Sequence, residues 1–290
     1  MTTAMGTLVV ERVETMQRVC RQTRWNARLG LVPTMGALHE GHLSLIRAAR
    51  RECDVVAVSV FVNPAQFGRN EDFERYPRTF EADCALLERE GVDMVFAPSS
   101  AEMYPRGMGQ VMVDVPEVGA RLDGRARQGH FRGVATVVAK LLHIVGPDAA
   151  FFGQKDAAQV AVLKAMVAEL NFPVRMVVCP TVRESDGLAM SSRNRNLSAE
   201  ERKQALGLWH ALVAVHALVD GGMVDAGRLR RELVGALQAA PGVEMEYAEI
   251  VSAETLLPLE EVRDGALVAV AARVGSTRLI DNIVLPGRAR

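Results

Sequence analysis

Val32-Pro33-Thr34-Met35-Gly36-Ala37-Leu38-His39-Glu40-Gly41-His42 decides how the rest of this chain is read. Apolar residues lead in from position 29 and two glycines punctuate the middle. From there on Leu43, Ile46 and Ala49 recur on one helical face. The pattern is a strand that passes through a turn into a helix. Such a turn is expected to aim unpaired backbone N–H groups and the positive end of a helix dipole at one spot, which suits an anion. Gly36 and Gly41 permit close backbone approach, and the imidazoles of His39 and His42 add donors for charge that develops on a phosphorus.

Two plainer readings of the histidines stand beside this one. A pair of exposed histidines at a helix start serves equally well as a cap. A zinc site is disfavoured, because His-Glu-Gly-His is one residue short of the spacing that puts two ligands on one helix face, and no third ligand cluster accompanies it. The chain also lacks a Walker lysine after a glycine loop and a G-x-G-x-x-G fingerprint.

Outward from the turn, β-branched runs alternate with helical periodicity, as in a parallel sheet covered by helices. Strands are expected at 29–32, 55–62, 94–96, 111–115, 149–152 and 174–179, and helices at 42–51, 79–90, 133–145 and 156–170. The unbroken apolar run at 55–62 suits a strand buried on both faces. The polar stretch 63–78 is longer than a connection needs, a length found in loops that cover active sites. Beyond Thr181 the texture changes. A segment rich in Ser, Arg and Asn leads to Ser198, and Glu201 three residues later completes a capping box. Helices at 198–219 and 225–239 then precede strands at 243–251, 266–274 and 278–284. The fold class is therefore α/β, a sheet domain over residues 1–182 followed by a smaller α+β domain over 183–290.

Composition narrows the partners. The chain has 290 residues, 49% hydrophobic and 24% charged, with a formal net charge of -1. That is the balance of a folded globular protein with no general attraction for nucleic acid or anionic membrane. Cys20, Cys53, Cys84 and Cys179 form no C-x-x-C pair and sit in or beside apolar stretches, which suits buried free thiols in a reducing cytoplasm. Residues 1–6 lack the basic start and apolar block of a signal peptide, and no apolar run reaches the roughly 18 residues that span a bilayer.

The H-x-G-H of His39 and His42 after a strand resembles the signature of the nucleotidylyl-transferase superfamily, whose members act at the α-phosphorus of ATP. Three more segments sharpen the likeness: Phe61-Val62-Asn63-Pro64-Ala65-Gln66-Phe67, Phe151-Phe152-Gly153-Gln154-Lys155-Asp156 and Met190-Ser191-Ser192-Arg193-Asn194. In this order they are similar to the pantothenate synthetase family, over about residues 31–196.

The resemblance implies a Rossmann-like N-terminal domain, a smaller C-terminal domain closing over ATP, a homodimer, and magnesium bound with the nucleotide. It implies ATP-dependent condensation of (R)-pantoate with β-alanine through a pantoyl-adenylate, with release of AMP and pyrophosphate. Carried over, Met35, Gly36, Ala37, Leu38, His39, Glu40, Gly41 and His42 would form one wall of the ATP site. Gly153, Gln154, Lys155 and Asp156 would take phosphates and ribose from the other side, with His39, His42 and Lys155 catalytic. Val182 and Met190 would lie near adenine or ribose, and Ser191, Ser192 and Arg193 would clamp the β and γ phosphates. Gln66 and Gln159 would orient pantoate, since amides both donate and accept and so can read hydroxyls. Asn63 would shape the acid or β-alanine pocket, and Gly129-His130-Phe131 would position a loop.

Two positions stand apart from this pattern. The family often has glutamate where Gln154 stands, and Asp83 reads either as a magnesium holder or as an exposed helix aspartate. Two other functions remain open on H-x-G-H alone. One is an enzyme that leaves AMP on a phosphorylated acceptor, against which the amides Asn63 and Gln66 argue, since such an acceptor favours arginine or lysine. The other is a nucleotide-binding regulator without turnover.

Overall fold

The computed structural model describes residues 6–68, 73–262 and 265–285. Positions 69–72 of the long polar loop and residues 1–5 of the opening segment lie outside the described residues. Two compact units emerge. The first gathers the chain up to Ala120 together with Gly124–Gly153 and Val162–Cys179. The second takes Arg121–Asp123, Gln154–Ala161 and the chain from Pro180 onward. Sequence order and spatial unit thus part company at Gln154, directly after a strand of the first unit.

The first unit holds six strands: β1 (Leu8–Val10), β2 (Leu29–Thr34), β3 (Val55–Val60), β4 (Met94–Phe96), β5 (Ala149–Gly153) and β6 (Arg175–Cys179). They form one sheet in the order β1-β4-β3-β2-β5-β6, with every pairing parallel. From β2 the chain moves out through β3 to β4, then returns to place β5 on the other side of β2. The switch point of this Rossmann-like sheet is therefore between β2 and β5, where open α/β sheets carry their ligands beyond the carboxyl ends of the strands. Val32, Val56, Val58, Val95 and Phe151 are fully buried, and Ile46 and Leu87 from the helices Glu40–Glu52 and Phe80–Arg89 join the same core. A strand with both faces covered needs β-branched residues on both, which is why these strands read as apolar runs and not as alternation.

The second unit has three antiparallel strands, β7 (Val243–Ser252), β8 (Ala266–Val274) and β9 (Thr277–Leu285), with β8 in the middle. Leu208, Leu212 and Val215 of the helix Ala199–Asp220 and Leu229, Leu233 and Leu237 of Ala226–Ala239 bury against Val268, Val270 and Ala272. The capping box at Ser198 and Glu201 forms as the sequence indicates, with each side chain accepting from the other's backbone N–H. A buried polar cluster ties this unit to Arg121–Asp123: Asp123 accepts from Tyr247 Oη at 3.2 Å and from Arg278 at 2.7 Å.

Two sequence expectations are corrected. Residues 111–115 are not a strand. Val113 N–H donates to Thr136 Oγ1 at 2.9 Å, so a helix side chain takes the place of a neighbouring strand, and Pro116 then opens a short helix. Conversely β1 and the helix Val13–Thr23 carry no expectation from sequence, because β1 is short and mostly exposed and the helix buries only Met16 and Cys20. The four cysteines are unpaired, three of them buried, and burial pushes the Cys20 thiol up to about 12. Among the described residues no helix is long and apolar enough to cross a membrane.

Candidate active site

The turn after β2 stands at the switch point of the first unit, and its backbone is fully organised. Gly36 has φ 79° and Ala37 φ 51°, both left-handed. A Cβ on Gly36 would come within 2.9 Å of Asp83 Oδ2 and 3.1 Å of Val60, so only glycine fits. Ala37 holds a conformation that costs a residue with a Cβ, and it is held there by a bond from its N–H to Asp83 Oδ2 at 2.9 Å. Leu38 N–H donates to Asp83 Oδ1 at 2.9 Å and Thr79 Oγ1 to Oδ2 at 3.2 Å.

Asp83 is thus neither exposed nor placed to hold magnesium. It is 2% exposed, and both of its oxygens are engaged by donors of the protein. Among the described residues no group of three or more His, Cys, Asp or Glu side chains is arranged to hold a metal ion. A helix acid reaching back 46 residues to Ala37 is the clamp of the turn.

The histidines do cap the helix Glu40–Glu52. Gly41 N–H donates to His39 Nδ1 at 3.2 Å, and His39 N–H donates to His42 Nδ1 at 3.3 Å. A backbone N–H is an obligatory donor, so both Nδ1 atoms are acceptors and in each neutral ring the proton sits on Nε2. The ring centroids are 4.1 Å apart. The plainer reading and the chemical one are therefore the same geometry, with the cap fixing which ring nitrogen can donate.

Six of the backbone N–H groups expected to fan out unpaired are engaged within the protein. Gly36 N–H goes to Thr34 Oγ1, Ala37 and Leu38 to Asp83, His39 and Gly41 to ring nitrogens, and His42 to His39 O. These six N–H groups are committed within the protein, and the imidazoles add ring nitrogens as further donors.

Beside the turn, Asn63 caps the short 3-10 helix Pro64–Gln66, and Gln66 ends it. Asn63 is 1% exposed and its amide is saturated. Oδ1 accepts from Ala65 N–H at 3.3 Å and Tyr104 Oη at 2.7 Å, while Nδ2 donates to Gln66 Oε1 at 3.0 Å and Gly133 O at 3.2 Å. With all four of its hydrogen-bonding positions taken, Asn63 is placed to shape its surroundings through its neighbours. Gln66 Nε2 reaches Met35 Sδ of the turn at 3.1 Å, and His130 Nδ1 donates to Gln66 O at 2.8 Å. Gly133 is what allows the helix His130–Val145 to lie on this loop, because a Cβ there would come within 2.2 Å of Ala65 O.

In the second unit, Gln154, Lys155 and Asp156 form a single 3-10 turn immediately after Gly153 of β5. Asn282 of β9 holds it: Nδ2 donates to the carbonyls of Gln154 at 3.0 Å and Lys155 at 2.9 Å, and Oδ1 accepts from Gln154 Nε2 at 3.1 Å. A glutamate at 154 would have no proton for Asn282 Oδ1, so the amide there belongs with Asn282. Lys155 Nζ lies 3.7 Å from Asp156 Oδ1, and Gln159 is half-buried one turn on. Val182 and Met190 are brought together by Met190 N–H donating to Val182 O at 2.9 Å. Ser191 caps the 3-10 helix Ser192–Asn196, accepting from Arg193 N–H at 3.3 Å.

The sequence profile of the family described as pantoate-beta-alanine ligase matches residues 8–284. The chain belongs to the pantoate–β-alanine ligase family. It joins pantoate to β-alanine, the reaction of that name. It is 61% identical over 262 residues to the pantothenate synthetase of Acidobacterium capsulatum, covering 90% of this chain and 87% of that one. The crystal structure of pantothenate synthetase from Thermus thermophilus superposes with a TM-score of 0.90 at 47% identity, covering 96% and 99% of the two chains. The pantoate-beta-alanine ligase of Francisella tularensis, complexed with beta-gamma ATP and beta-alanine, gives a TM-score of 0.78 at 32% identity, covering 96% and 97%.

Several residues of this ligase escape sequence reading. Tyr104, Asn282 and the clamp by Asp83 carry no local motif, since each acts on a segment distant in the chain. The signal that could have found Asp83 is indirect: two adjacent left-handed residues need an acceptor for their N–H groups, and a short helix acid can supply one.

Proposed function

We propose that the ligation runs on ATP through a pantoyl-adenylate held by the enzyme. One observation carries this reading: the His39 and His42 rings sit at the switch point with both Nδ1 atoms capped, so each directs an Nε2 donor toward charge that grows on a transferring phosphate. A pantoate carboxylate oxygen attacks the α-phosphorus and the bond to pyrophosphate breaks. The amine of β-alanine then attacks the activated carbonyl carbon, loses a proton, and AMP departs with one oxygen of the former carboxylate. His39, His42 and Lys155 are the catalytic groups in this proposal, and no cysteine or serine beside a histidine base is needed as an acyl carrier.

The relative from Francisella was solved with a nucleotide and β-alanine, and by that likeness this chain takes the same pair. Met35, Gly36, Ala37, Leu38, Glu40 and Gly41 line the nucleotide with the two histidines. Gly153, Gln154, Asp156, Val182, Met190, Ser191, Ser192 and Arg193 complete its site, and Gln66 and Gln159 hold pantoate. Magnesium arrives with the phosphates, since such ions keep water and phosphate oxygens and need no cage of protein ligands. Asp83 is not one of its ligands in this reading, since both of its oxygens are taken by donors of the protein. A homodimer in a reducing cytoplasm completes the reading, the latter in keeping with four unpaired thiols.

The test omits β-alanine. Enzyme, magnesium, ATP and labelled pyrophosphate are incubated with and without pantoate. Label is expected in ATP only with pantoate, and oxygen-18 from the pantoate carboxylate is expected in AMP after β-alanine is added. Formation of ADP and phosphate instead would mean an acyl phosphate and would overturn the adenylate.

A further inference from the structure

The amide of Gln66 has a direction, and the direction is imposed on it. Asn63 can be oriented in only one way, because Ala65 N–H is an obligatory donor at its oxygen and Gly133 C=O an obligatory acceptor at its nitrogen. The second proton of Asn63 Nδ2 must then go to an acceptor, which is Gln66 Oε1 at 3.0 Å. Tyr104 Oη, at 2.7 Å, must donate to the remaining lone pair of Asn63 Oδ1. Burial holds the Tyr104 phenol up to about 12, so it keeps its proton near neutral pH. Gln66 is left with its oxygen turned inward and its nitrogen turned toward Met35 Sδ, a weak acceptor that a substrate oxygen readily outcompetes.

We infer that Tyr104 and Asn63 are positioning residues of the acid subsite, which lock the Gln66 amide nitrogen-first so that it recognises an acceptor oxygen of pantoate. This rests on the assignment of Gln66 to pantoate and deepens it. An isolated glutamine reads donors and acceptors alike. A glutamine wired to Asn63 offers N–H groups, matched to a carboxylate oxygen or to the lone pair of a hydroxyl. Tyr104 touches no substrate and acts through two amides.

The experiment is a double-mutant cycle with KM for pantoate and KM for ATP measured separately. The variants are Tyr104→Phe, Gln66→Ala and both together, with Gln66→Glu as a polarity probe. Tyr104→Phe removes one neutral hydrogen bond and is expected to raise the pantoate KM about three- to tenfold, with the ATP KM and the thermal unfolding midpoint close to the parent. In the Gln66→Ala background the same change is expected to move the pantoate KM less than twofold, roughly the scatter of non-interacting pairs. Gln66→Glu is expected to be worse than Gln66→Ala, because it sets a carboxylate oxygen where the donors stood. If Tyr104→Phe has no effect, has the same effect in both backgrounds, or raises the ATP KM equally, the positioning role is wrong while Gln66 keeps its substrate. If Gln66→Glu supports pantoate as well as glutamine does, the amide is presented oxygen-first and the inference fails. An unchanged pantoate KM in Gln66→Ala alone would remove the pantoate assignment itself, and the inference with it.

Discussion

Two irregular segments of this ligase are held by clamps of opposite charge. The turn after β2 is tied by the carboxylate of Asp83, which accepts from two backbone N–H groups and a threonine hydroxyl. The loop after β6 is tied by the guanidinium of Arg183, which donates to the carbonyls of Gly187 at 3.1 Å and Asn282 at 3.2 Å, pairs with Asp281, and lies 3.8 Å over the Trp209 ring. The difference follows from what each backbone leaves over. Two successive left-handed residues turn N–H groups inward and need an acceptor, whereas at Arg183 one loop carbonyl, Gly187 O, meets the carbonyl of Asn282 and the carboxylate of Asp281 from β9, and these need a planar donor with several protons. The sign of a clamp can be derived from the orphaned backbone group it serves.

The comparison breaks most visibly at Arg183. Asp281 is 4% exposed, so Arg183→Ala leaves a buried carboxylate without its counter-charge, held only by the Asn282 N–H at 2.7 Å, and takes this donor from two carbonyls. Unfolding in urea should show a loss of about 3–5 kcal/mol, with Arg183→Lys recovering only part of it because the fork is gone. Stability within about 1 kcal/mol of the parent would place that clamp among surface pairs.

His42→Ala tests what the first turn is for. Pyrophosphate exchange with pantoate should fall by about 10²–10³ with the fold intact, the usual cost of one donor lost from a charge-stabilising site. Near-normal exchange would leave the histidines as caps and nothing more.

Asp83→Asn sharpens the contrast between the clamps. An amide retains one oxygen for three donors, so buried N–H groups go unpaired and about 1–3 kcal/mol of stability should be lost. The concentration of magnesium needed for half-maximal rate should not move. Unchanged stability with a raised magnesium requirement would return Asp83 to the metal. As a local reference, Asp225→Ala removes the cap of the helix Ala226–Ala239, where Asp225 accepts from Arg228 N–H at 2.7 Å, and should cost about 1 kcal/mol with no change in rate.

What was legible in the sequence was what periodicity and neighbouring residues encode. The doubly buried runs of β2 and β3, the helix face of Leu43, Ile46 and Ala49, and the capping box at Ser198 all depend on residues a few positions apart. The run 111–115 misled because apolar alternation does not say whether a neighbour strand exists, and here Thr136 took its place. The site was legible as a set of motifs and opaque as a network. The resemblance marks Asn63 as a residue that shapes the pocket, but not its partners, since Tyr104, 41 positions on, and Gly133, 70 positions on, take up its bonding. Asp83 looked interchangeable with any acid in a first helical turn until the left-handed backbone it serves was in view.

The engagement of six of the turn's N–H groups within the protein also bears on competition from loose anions. A cradle of unpaired amides grips inorganic phosphate whether or not a nucleotide is attached to it. Here the amides of Gly36, Ala37, Leu38, His39, Gly41 and His42 already have partners within the protein, and a carboxylate lies beneath them. Free phosphate and sulfate should therefore be feeble inhibitors against ATP, which steady-state inhibition would register directly. For the nucleotide site proposed at this turn, the expected consequence is recognition of ATP along its length and not by its phosphates alone, which selects the fuel over the debris of its use.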